Sequence, residues 1–121
     1  MESLFSSPGP LSGQSSDPGT RIKVMRWPGS LRLGHTTVLE GKAIQISNGG
    51  VGLLLGHSVR EGEIGLVCVN AFINGTPIRL QARASVVCCT CVGMEGFRLS
   101  LRFLELDDDA QDALDKLLHA R

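Results

Sequence analysis

A six- or seven-stranded antiparallel β-barrel closed by one C-terminal helix is the fold class this sequence predicts, on three observations. After residue 20 apolar residues recur at every second position, glycine-bearing turns divide those runs, and helical spacing takes over only near the end. Short strands at this spacing leave open edges unless the sheet closes on itself, and closure removes the unpaired backbone groups that invite aggregation.

Residues 1–20 contain SSPGP, SGQSS and DPGT, which bury too little apolar surface to offset the entropy of ordering. They are expected to form a disordered arm, with the barrel domain over residues 21–121. Ile44 and Ile46 alternate with Gln45 and Ser47, predicting a half-buried strand in which the two isoleucines share a face. Ser47-Asn48-Gly49-Gly50 then separates it from an apolar run over 51–55. Asn74-Gly75 lies between two apolar runs, and both residues tolerate the positive φ of a tight hairpin turn. The longest alternation follows. Ile78, Leu80, Ala82, Ala84 and Val86 face one way, and Arg79, Gln81, Arg83 and Ser85 the other. Gly93-Met94-Glu95-Gly96 turns the chain into a strand where Leu99, Leu101 and Phe103 alternate with Arg98, Ser100 and Arg102. Successive hairpins of this kind predict an antiparallel meander. Last, Asp107, Asp108 and Asp109 precede Ala110, Ala113, Leu114, Leu117 and Leu118, an apolar stripe at helical spacing whose charges complement the helix dipole.

Composition excludes several function classes. Twelve basic residues balance twelve acidic ones, unlike domains that hold long nucleic acids by bulk charge. No apolar run nears the roughly 18 residues of a membrane-spanning helix, so no membrane insertion is expected. The N-terminal stretch has no hydrophobic signal core, so a cytoplasmic chain with reduced thiols is expected. Strand alternation would turn Cys88 inward and Cys89 and Cys91 outward, a poor start for a metal site, and none is expected. No G-x-S-x-G elbow occurs and the histidines are scattered, so neither catalysis nor a cofactor is predicted.

Binding is a different matter. The 47–52 stretch offers a hydroxyl, an amide and backbone N–H groups where glycine admits close approach, although no G-K-[ST] follows as in a Walker loop. Arg21, Lys23 and Arg26 stand between the arm and the first strand, and arginine forks suit phosphates and guanine edges. On the residues alone, glycine-rich β-turns are usually only turns, and the basic stretch reads either as a solvated strand start or as part of an anion cradle.

Together they resemble the PilZ family, whose signature is an R-x-x-x-R arm followed by [D/N]-x-S-x-x-G on a β-barrel. The second motif reads Gln45-Ile46-Ser47-Asn48-Gly49-Gly50, matching at Ser47 and Gly50. Gln45 stands where the family has Asp or Asn, and Arg21 and Arg26 enclose four residues instead of three. The resemblance implies a bacterial signalling module that binds cyclic di-GMP through Arg21, Arg26, Gln45, Ser47 and Gly50. In it, Ser47 would contact the nucleotide and Gly50 would allow the turn. It further implies ordering of the arm by the ligand, a downstream protein partner, and a monomer or weak dimer. A divergent adaptor that works through protein contacts without the nucleotide, in pilus, flagellar or secretion regulation, is the other reading left open.

Overall fold

The computed structural model of this chain describes residues 22–119. The arm expected over residues 1–20, and Arg21 with it, lie outside the described residues. Six strands run as β1 (Ile22–Leu33), β2 (Thr37–Ser47), β3 (Gly50–Leu55), β4 (Ile64–Ile73), β5 (Thr76–Cys91) and β6 (Phe97–Glu105), followed by helix α1 (Asp108–His119).

The strands close into an antiparallel barrel in the order β1-β2-β3-β6-β5-β4, with β1 pairing back onto β4. Alternation fills its interior as anticipated: Leu80, Ala82, Ala84 and Val86 from β5 meet Leu99 and Leu101 from β6, all buried. The Asn74-Gly75 turn has φ of 51° and 83° and joins Ile73 to its partner Thr76, the geometry that a two-residue hairpin requires.

The meander expectation is corrected. β3 pairs with β6 rather than β4, and residues 56–63 carry the chain from β3 to a strand that is not its neighbour. Turn residues disclose where a chain reverses; which edge it then joins depends on non-local pairing.

Helix α1 is anchored at both ends. Asp107 caps it, its Oδ1 accepting the Ala110 N–H at 2.7 Å, and the buried stripe of Ala110, Ala113, Leu114 and Leu117 extends the barrel core beside β5. At the other end, Lys23 of β1 donates from Nζ to the Leu117 carbonyl at 3.1 Å and stands 5.3 Å from the Trp27 ring centroid. A cation thus meets the negative end of the helix dipole and ties the start of β1 to the end of α1. Among the described residues no helix is long and apolar enough to cross a membrane.

A β-bulge overturns the expected orientations of Cys88 and Cys89, while Cys91 is exposed as expected. Val86 pairs with Leu101 and Cys88 with Ser100, so Val87 is an extra residue in β5 and reverses the alternation beyond it. Cys89, opposite Leu99, therefore packs against the core, while Cys88 places Sγ 3.5 Å from the Thr90 hydroxyl and Cys91 is exposed. The most buried thiol is Cys68 on β4, whose sulfur accepts from Arg79 Nε at 3.3 Å.

Candidate functional site

Two bulges meet at Ile44. Along β1–β2 the register jumps from Val24↔Gln45 to Trp27↔Ala43, so Met25 and Arg26 together oppose Ile44. Along β2–β3 it jumps from Ala43↔Leu53 to Gln45↔Gly52, leaving Ile44 without a partner on β3. Consequently Ala43 and Ile46, three residues apart, are both fully buried, and Ile44 and Gln45 between them both turn to the outer face. This corrects the expectation that Ile44 and Ile46 share a face.

The outward residues of β3 next to this point are glycines. Gly50 and Gly52 leave a side-chain-free strip between Gln45 and Ser47 of β2 and Ser100 and Arg102 of β6, while Arg98 stands opposite Leu54. Gly50 is forced by packing: a Cβ there would stand 2.0 Å from the Leu101 carbonyl oxygen, and its φ is not in the left-handed region. Its place in the barrel thus comes from the close approach of β3 to β6, whereas the resemblance attributed it to a tight turn. The Ser47 hydroxyl donates to the Gly50 carbonyl at 3.4 Å, and the Gly49 carbonyl accepts the Phe103 N–H at 2.9 Å, which pins the bend against β6.

Two cavities lie on this face. One, of about 520 Å³, has Ile44, Leu54 and Val92 among its apolar lining and Arg26, Gln45, Glu95 and Arg98 as its polar groups. The other, of about 350 Å³, is lined by Ser47, Gly49 and Gly50 of the bend with Val87, Ser100 and Arg102. Of the residues singled out from sequence, Arg26 and Gln45 therefore share one cavity and Ser47 and Gly50 the other, the two groups meeting along β2. Arg21 lies outside the described residues.

Sequence reasoning missed Arg98, Arg102 and Glu95. Arg98 Nη2 donates to Gln45 Oε1 at 2.9 Å, reaching across β3 beside the side-chain-free Gly52. Its signal was present: Arg98 and Arg102 fall on the wet positions of a strand whose Leu99 and Leu101 face the core. Alternation gives their face but not the strand β6 would lie beside. With Arg26, these arginines surround a partly apolar surface with guanidinium forks, an arrangement able to hold a flat, anionic ligand.

Comparison with known proteins agrees with this architecture. The family model of the PilZ domain matches residues 21–120. Among solved structures, the chain is similar to the Bacillus subtilis inhibitor of motility (MotI/DgrA), with a TM-score of 0.71 and 16% identity over 86% of this chain and 50% of that one. It is also similar to the PilZ domain of YcgR from Escherichia coli, a structure with c-di-GMP, with a TM-score of 0.62 and 21% identity over 81% and 85% of the two chains. A third likeness is to the PilZ domain of CeSA from a cellulose-synthesizing bacterium, with a TM-score of 0.57 and 12% identity over 80% and 93%. The chain spans half the length of the inhibitor of motility it resembles. No curated protein matches it.

Proposed function

This chain belongs to the PilZ domain family, a family of regulatory binding modules, and on that premise we propose that it is a receptor for cyclic di-GMP. The nucleotide lies over the outer face of β2 and β3, with Arg26 gripping phosphate or a guanine edge and Ser47 contacting it from the bend. Binding orders the arm of residues 1–20 against the barrel and changes the surface offered to a downstream protein in the bacterial cytoplasm. The protein acts by binding and catalyses nothing.

One observation carries this reading: Ile22 pairs directly with Ser47, so the first described residue of the barrel lies beside the glycine bend. Arg21 is covalently adjacent to that point, and Arg26 lines a cavity with Gln45, two residues before Ser47. A ligand of dinucleotide size reaches both cavities, and its association draws the arm onto the barrel.

Calorimetric titration of the full chain tests it. Binding at micromolar cyclic di-GMP, about 8 kcal/mol, is expected in low salt. Arg26→Ala and Ser47→Ala should each weaken it about tenfold or more. Absence of heat at tens of micromolar ligand overturns the proposal.

A second reading has its own support. Arg26 and Ser47 line separate cavities, and Gln45 is engaged by Arg98, features that suit an adaptor acting through protein contacts alone. A pull-down with and without the nucleotide separates the two. A partner recovered equally in both conditions favours the adaptor, and one recovered only with cyclic di-GMP favours the receptor.

A further inference from the structure

Arg98 belongs to neither sequence motif, yet it is the residue that touches Gln45 across the cavity face. Its outward direction is fixed by packing, since Leu99 beside it is fully buried. It lines the same cavity of about 520 Å³ as Arg26, from the opposite side: Arg26 lies on β1, Arg98 on β6, and β2 and β3 run between them. Three strand spacings separate the two backbones, about 14 Å. Two arginine side chains reaching inward over that span suit a ligand with acceptors at both ends better than a single phosphate.

Gln45 explains how Arg98 is held ready. A guanidinium carries five N–H donors, and the 2.9 Å bond to Gln45 Oε1 uses one at Nη2, orienting the plane while leaving donors for an acceptor in the cavity. Opposite Gln45 the intervening strand carries Gly52, which has no side chain, and Arg98, itself opposite Leu54, reaches diagonally past it. The extra methylene of glutamine, compared with asparagine or aspartate, supplies the reach.

We infer that Arg98 is a ligand-contacting residue of this site and that Gln45 is a positioning residue acting through it. Arg98 thereby adds from β6 a second described guanidinium to that of Arg26. The inference rests on the receptor reading and adds to it a residue on a strand that neither motif includes.

Titrations of cyclic di-GMP into the full-length wild type, Arg98→Ala, Arg98→Lys, Gln45→Ala and the Arg98→Ala/Gln45→Ala double variant test it, with thermal melts confirming that each is folded. Arg98→Ala should weaken binding about tenfold or more, because a charge-assisted contact is lost. Arg98→Lys should fall between Arg98→Ala and wild type, since it keeps the charge without the fork. Gln45→Ala should weaken binding less than Arg98→Ala, and the double variant should bind no more weakly than Arg98→Ala, the coupling expected when one residue acts through the other. If Arg26→Ala weakens binding but Arg98→Ala stays within about twofold of wild type, the inference fails alone. Additive losses in the double variant overturn the role given to Gln45. A wild type that binds nothing overturns the receptor reading and this inference together.

Discussion

Ile22 and Ser47 stand opposite one another in the β1–β2 ladder, so the chain enters the barrel beside the bend that ends β2. Strand pairing sets the start of β1 against the glycine-bearing turn, while Arg26 lies further along β1 and lines a different cavity from Ser47. The local fold that does this depends on Gly50, whose backbone lies against Leu101, and on Lys23, which holds the start of β1 to the end of α1.

Gly50→Ala should destabilise the barrel by about 1–3 kcal/mol, because its Cβ would collide with a backbone oxygen that cannot swing aside. Gly49→Ala, with nothing within 4 Å of its added Cβ, should remain within about 0.5 kcal/mol of wild type. Urea unfolding of the two variants checks the contrast. Lost nucleotide binding in Gly50→Ala is therefore to be interpreted only beside its melting curve.

Asp107→Ala removes the acceptor of the Ala110 N–H and should cost about 1 kcal/mol. The loss should be recovered by Asp107→Asn or Asp107→Ser, which keep a capping oxygen, as thermal melts of the three variants would reveal.

Thiol labelling of the native protein should follow exposure, with Cys91 reacting first and Cys68 last. Cys89, which packs against the core beyond the Val87 bulge, should react more slowly than Cys91. Mass spectrometry of protein quenched at successive times gives the order, and rapid labelling of Cys89 would contradict the reversed alternation after Val87.

The cysteines show where the sequence was legible and where it was not. Regular alternation carried the prediction correctly through β5 up to Val86 and through β6 at Leu99 and Leu101, and the helix stripe matched its buried residues. One inserted residue at Val87, and another at Ile44, reversed the faces that follow, and a bulge leaves little trace in a pattern of apolar residues. The candidate site divides in the same way between local and non-local information. Arg26, Ser47 and Gly50 stood out from the residues and Gln45 from the family resemblance; all four line cavities on one face, and Arg21 lies outside the described residues. Arg98 and Arg102 were passed over because their relevance depends on β6 lying beside β3, a pairing between segments more than 40 residues apart in sequence.

The most direct test of the central claim is a nuclear magnetic resonance titration of the full chain with cyclic di-GMP, following backbone amides. One ligand bridging the entry of β1 and the bend predicts that Val24, Met25 and Arg26 shift together with Ser47, Asn48 and Gly49, along a single binding curve. Unmoved amides at both places under saturating nucleotide, or shifts confined to a distant surface, would contradict it.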